Sequence, residues 1–420
     1  MTKASRFLAF VVLLLLLSQL VSGAPAQLQM LLTGGRVFIT GIVIKLALIF
    51  VLFVALLLYP ILRISRSLMV AWSIYVAYLV VVTGFLVAFD DIPIFQVLAG
   101  FNAYYALILI APVCSVLVGQ VSWKTVWRVL LGVFLVCALV GIAQFVTGHA
   151  LLYTRSVDGN FRVADYDFFG ATRAFSLFQA SMDFGAYSAL IASIAVALCG
   201  RRETRISGLA ILGLSAISCA ITMTRIAYLE FALSSITSAV LTFGQSTRRT
   251  RIYPACYLIA GPLIVFGGRV LSGNASSGVA SSASLLIRIE EWSYYFQKLV
   301  DSSRLQQLFG QGLVQNAAIG NARFPIDNIF IAVAMHIGYV GLVLLIILLS
   351  LMWIFIRERA VQHPNPLSIG TAAFFSTFAV AGIFNLIFAT YAVVFMLALL
   401  ASEGQREPCK MRSAHLPLLG

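Results

Sequence analysis

The stretch "TMTRIAYLEF", residues 222–231, lies between two apolar runs yet carries Arg225 and Glu230. A charge at or near membrane depth is expensive and marks function or a specific partner. Whether these residues lie in a membrane decides the fold, and the surrounding sequence answers it. The 420 residues are 61% hydrophobic and 10% charged, with a mean hydropathy of +1.00. Apolar runs of about 18 or more residues recur along the chain, each long enough to cross ~30 Å of hydrocarbon. The expected class is all-α, a polytopic transmembrane helical bundle.

Twelve spans are predicted, at about 7–22, 37–59, 68–88, 97–118, 126–147, 174–199, 206–223, 226–243, 252–267, 328–356, 368–387 and 389–402. The tenth is too long for one straight crossing, so its first part, 328–337, is expected to lie along the interface. The last two are joined by almost nothing and form a tight hairpin or one broken element. The first 26 residues read either as a cleaved signal peptide or, the reading we take, as an uncleaved first span. Three regions follow: nine spans over 1–267, a large outside loop over 268–327, and the C-terminal spans and tail over 328–420.

Charge supports this map. With the N-terminus inside, seventeen Lys and Arg face the cytoplasm against four acids, so the whole formal charge of +13 is cytoplasmic. The basic balance reflects topology and membrane lipids. No basic groove with interleaved aromatics points to nucleic acid. The six cysteines fall in spans or on the cytoplasmic side, which implies no disulfide and no metal motif.

The outside chemistry is expected in 148–173 and 268–327. Residues 272–284 are Ser/Gly/Ala-rich and read as flexible. Beyond them Leu285, Ile289, Trp292, Phe296 and Leu299 share one helical face, from which Arg288, Glu291, Tyr295 and Lys298 fall away. This predicts an amphipathic helix on the outer surface or across the bundle mouth, either a simple lid or part of a site. Gly310 and Gly312 of "GQG" permit a tight turn and close backbone approach. Asp327 is a good N-cap for the following helix, and His336 points to the opposite face of that helix.

Arginine recurs on the outside: Arg155, Arg162, Arg173, Arg225, Arg288, Arg304 and Arg323. A guanidinium suits phosphate because its planar fork donates two parallel hydrogen bonds. Arg225 either faces the bundle interior at headgroup level or simply snorkels. Glu230 is poorly placed to pair with it, and its partner is Lys45 or a hydroxyl.

Four pieces in order, "MTRIAYL", "LLIRIEEW", "LFGQGL" and "DNIFIAVAMHIGYVGL", resemble the bacterial O-antigen ligase/polymerase superfamily. The likeness covers roughly residues 170–356 by motif and the whole chain by topology. It implies a GT-C-like bundle in the bacterial inner membrane, with its active site facing the periplasm. It implies that Arg225 and Arg288 engage the diphosphate of an undecaprenyl-diphosphate-linked oligosaccharide. The ligase branch carries a histidine where this chain has Asp327, followed by Asn328. That departure favours a polymerase of O-antigen or exopolysaccharide repeats, with Asp327 as base or sugar-binding group. Further candidates for substrate contact are Arg173, Arg323, Asn328, Trp292 and Tyr295. The resemblance also implies a chain-length regulator protein as a candidate partner. "DYD" at 165–167 is the only close outside carboxylate pair, so neither metal nor cofactor is expected. A ligase acting on lipid A core and a transporter or flippase are the competing readings; no internal repeat of the transporter kind is visible.

Overall fold

The computed structural model describes residues 3–21, 40–89, 100–102, 105–149, 167–168, 171–178, 180–244, 281–312, 328–384 and 388–402, with single positions at 23, 25 and 97. The chain is a helical bundle. Helices α1 (Lys3–Leu20), α2 (Thr40–Leu58) and α3 (Arg66–Phe89) come first. α4 (Ala106–Ile110) runs on as a 3₁₀ segment, Ala111–Leu117, where Pro112 removes a backbone donor. α5 (Trp123–Thr147) starts on Ser122, whose side chain accepts from the Thr125 amide, and ends on left-handed Gly148. A two-residue ladder pairs Asp167–Phe168 with Ala171–Thr172. Next come α6 (Ser181–Cys199), α7 (Arg205–Ile221) and α8 (Arg225–Phe243). α9 (Ser281–Val300) and the one-turn α10 (Arg304–Phe309) precede α11 (Ile329–Gln362), α12 (Pro366–Phe375), α13 (Phe378–Phe384) and α14 (Phe388–Ala401).

Among the described residues, eight helices are long and apolar enough to cross a membrane. Ile42–Leu58, Ala106–Leu117 and Ala389–Ala401 are apolar but shorter. The chain is therefore a multi-pass membrane protein. The predicted ninth span, 252–267, lies outside the described residues.

The centre of the bundle is α6, packed against α7, α8 and α12. Its face is made of small residues, among them Gly185, Ala189 and Ser193, which let neighbouring backbones approach closely. Hydroxyls join the helices there. Ser193 Oγ donates to the Gly370 carbonyl at 2.9 Å, and Ser238 Oγ donates to the Ser193 carbonyl at 2.6 Å. With little hydrophobic driving force between helices in lipid, such close packing and hydrogen bonding hold a bundle together.

α11 is broken. Ile337 leaves helical geometry and Gly338 adopts φ 71°, ψ −179°, a conformation essentially reserved for glycine. α9 begins at Ser281, inside the stretch read from sequence as flexible. The hairpin near the C-terminus is built from α12 and α14, which pack on each other, with turn residues Ser376 and Thr377 dividing α12 from α13.

Candidate functional site at two helix breaks

The first break joins α7 to α8. α7 stops at Ile221, and Thr222 turns its hydroxyl back to the Cys219 carbonyl at 2.7 Å. Met223 then takes φ 49°, a left-handed conformation that costs a non-glycine residue about 1–3 kcal/mol. Thr224 is extended, with its hydroxyl on Ser181 Oγ at 3.2 Å and on the Thr222 carbonyl at 2.9 Å. No side chain caps α8. Its first amides therefore form a positive helix end suited to an anion.

Arg225 stands at that end. It is exposed and makes no hydrogen bond or ion pair among the described residues. The same face of α8 carries Leu229, Ile236 and Phe243, all exposed. A free guanidinium thus tops an apolar track down the helix. Glu230 points the other way. It is buried and accepts from the Tyr391 hydroxyl at 3.1 Å; Tyr391 in turn shares a hydrogen bond of 2.7 Å with Thr377. Of the two expected partners, the hydroxyl is correct. Lys45 donates instead to the Asn102 carbonyl at 2.9 Å.

Arg173 reaches the same break. It is half-buried and acts electrostatically on the Tyr228 hydroxyl, which donates to the Ala220 carbonyl at 2.9 Å. Next to it, the Ala174 amide donates to the Ile221 carbonyl at 3.1 Å. Gln144 of α5 clamps the segment that follows. Its Oε1 accepts from the Ser176 amide at 2.7 Å and the Phe175 amide at 3.3 Å, and its Nε2 donates to the Ser176 carbonyl at 3.0 Å. Asp183, in the first turn of α6, lies within electrostatic reach of Glu230. Neither Gln144 nor Asp183 was singled out from sequence. The available signal was a polar residue inside each of two apolar runs.

The second break is at Ile337–Gly338. A helix end buried in a bundle needs partners for its last carbonyls. Here they come from elsewhere in the chain. Gln311 N donates to the Met335 carbonyl at 2.7 Å, Gly312 N to the His336 carbonyl at 3.1 Å, and the Tyr78 hydroxyl to the Ile337 carbonyl at 2.6 Å. The close approach expected of "GQG" is present: a Cβ on Gly310 would overlap the His336 carbonyl, and one on Gly338 would overlap the Leu308 carbonyl.

α9 lies against the first half of α11. Tyr295 and Leu299 are buried against Ala332, Ala334 and Met335, and Trp292, one turn before Tyr295, is also buried. This corrects the predicted face. Tyr295, read as falling away from the apolar face, is 3% exposed, whereas Phe296, read as part of that face, is 38% exposed. The buried stripe runs through positions 292, 295 and 299, and Arg288, half-buried, continues it one turn earlier. Arg288 therefore shares the packed face instead of falling away from it. The side chains of Leu285 and Ile289 lie outside the described residues.

The cap of α11 is a second correction. Asn328, extended and fully buried, caps the helix by accepting from the Phe330 and Ile331 amides at 2.9 and 3.1 Å. Asp327 had been expected there, and Asn caps as well as Asp. Asp327 and Arg323 lie outside the described residues, as do Arg155 and Arg162.

The structure thus places Arg173, Arg225 and Asp183 at one break, with Glu230 turned into the bundle, and Arg288, Trp292, Tyr295 and Asn328 on or beside the helix that carries the other. The short α13 touches both α8 and α11, with Phe378 edge-on to Phe330 at 6.5 Å. Arg225 and Arg288 make no hydrogen bond to a common described residue. Among the described residues no three His, Cys, Asp or Glu side chains are grouped to hold a metal ion. No family model matches the chain, and no curated protein matches it in sequence.

Proposed function

We propose that this chain is a twelve-span, GT-C-like glycosyltransferase of the bacterial inner membrane. In this reading it polymerises undecaprenyl-diphosphate-linked oligosaccharide repeats at the periplasmic face, as the superfamily resemblance implies. The observation that carries the proposal is Arg225: a free guanidinium at an uncapped helix start, above an exposed apolar track. That arrangement suits a ligand with an anionic head and a long hydrocarbon tail.

In the proposed reaction an acceptor sugar hydroxyl attacks the anomeric carbon of the donor glycan. The bond from that carbon to the diphosphate oxygen breaks, and its electron pair leaves with undecaprenyl diphosphate. The hydroxyl proton passes to a carboxylate, assigned by resemblance to Asp327. Arg225 and Arg288 stabilise the charge that develops on the leaving group, a role fixed cations fill without reorganising. Arg173 adds positive potential at the same break.

Reconstitution of the purified protein with lipid-linked repeat units tests this. A ladder of multiple repeats is expected. Movement of the lipid across the membrane without new glycosidic bonds would instead identify a flippase, and transfer only to lipid A core would identify a ligase.

A further inference from the structure

At the end of the bundle opposite the α7–α8 break, α3 and α11 leave an open groove of about 520 Å³ between them. Val70 and Ile74 form one wall, Leu344 and Ile347 the other, and Arg66 and Ser67 stand at the mouth. Val70, Ile74 and Ile347 are each close to half exposed, at 49%, 50% and 45%. From Arg66 to Ile74 the helix rises about 12 Å, which is within one leaflet of a ~30 Å hydrocarbon core.

Several other arginines on this side of the bundle are hydrogen-bonded. Arg63 donates to the Val118 carbonyl at 3.4 Å, and Arg359 to Ser402 Oγ at 2.8 Å and the Arg63 carbonyl at 2.9 Å. Arg201 donates to the Pro364 carbonyl at 3.1 Å. Arg66 is exposed and has no hydrogen bond or ion pair among the described residues. Beside it, Ser65 Oγ, just before α3, and Ser67 Oγ, in its first turn, lie 3.3 Å apart. One free guanidinium and a hydroxyl therefore sit directly over an apolar slot of one-leaflet depth.

We propose that this groove is a binding site for an anionic glycerophospholipid of the cytoplasmic leaflet. One acyl chain lies between α3 and α11, and the phosphodiester rests on Arg66 and Ser67. The site is separate from the proposed diphosphate site and does not depend on it: Arg225 and Arg66 lie at opposite ends of the bundle. Charge complementarity selects an anionic head, and the apolar walls select a lipid over free phosphate.

Photo-crosslinking tests the proposal. The full chain is reconstituted in phosphatidylcholine vesicles containing phosphatidylglycerol with a diazirine on one acyl chain. Labelling is expected to concentrate on peptides containing Val70–Ile74 and Leu344–Ile347. It should be competed by unlabelled phosphatidylglycerol, and not by phosphatidylcholine or inorganic phosphate. Arg66→Ala should lower it about fivefold, the effect of one cation on an anionic lipid. Ala71 also lines the groove, and Ala71→Trp, which fills it, should abolish labelling while thermal unfolding stays unchanged. Even labelling of all lipid-facing helices, competition by phosphatidylcholine, or full labelling of Arg66→Ala would overturn the assignment.

Discussion

Tyr391 donates its hydroxyl to Glu230 across 161 residues of sequence, at 3.1 Å. The pair satisfies a carboxylate buried in the middle of the bundle and leaves Arg225, five residues earlier, without an acid on its own helix. The two charges of one short motif thus take separate roles, one structural and one facing outward.

The structural role is measurable. Glu230→Gln retains an acceptor for the Tyr391 hydroxyl and should change the unfolding temperature little. Glu230→Leu leaves the Tyr391 hydroxyl with Thr377 alone and should destabilise by about 0.5–1.5 kcal/mol, the net worth of one hydrogen bond. Thermal unfolding in detergent would reveal the loss. Equal stability of Glu230→Leu and the parent chain would remove Glu230 from the core network.

Arg225 makes no contact that holds the fold. Arg225→Ala should leave expression and unfolding temperature unchanged while lowering polymer formation by about 10²-fold or more, the scale for removing a group that stabilises developing charge. Polymerisation at the parent rate in the reconstituted variant would dismiss the donor role.

Arg288 lies on the packed stripe of α9 and is half-buried. Arg288→Lys keeps the charge and loses the planar fork. A fall in polymer formation is expected if two parallel hydrogen bonds are made to the diphosphate. Full activity of the lysine variant would reduce Arg288 to a source of positive field.

Gly338 and Gly310 both occupy a backbone region that side chains avoid, at φ 71° and φ 91°. Each also lies against the other segment's carbonyl. Gly338→Ala should therefore cost at least about 1–3 kcal/mol and loosen the contact between α10 and α11. Limited proteolysis is expected to cut near residues 300–312 faster in this variant. Cleavage at the parent rate would argue that the latch is not strained by a side chain.

Several features were legible in the sequence because their causes are local. Run length and apolarity mark helices that can cross a membrane, and an arginine between two runs marks a break. The glycines of "GQG" signal close backbone approach wherever their partner turns out to be. Other features were decided by tertiary contacts alone. Tyr391 as the partner of Glu230, Gln144 as the clamp on Ser176, and Tyr78 on the broken end of α11 are each set by residues far along the chain. The rotation of α9 that buries Tyr295 and exposes Phe296 follows from the surface of α11. The apolar spacing put Phe296 on the apolar face and Tyr295 off it, and the two lie about 100° apart on a helix, so a modest rotation of α9 exchanges them. The physical reason is common to all of these. Local backbone preference and hydrophobic length act within one segment, whereas a buried polar group can be satisfied by any segment the fold brings within about 3 Å.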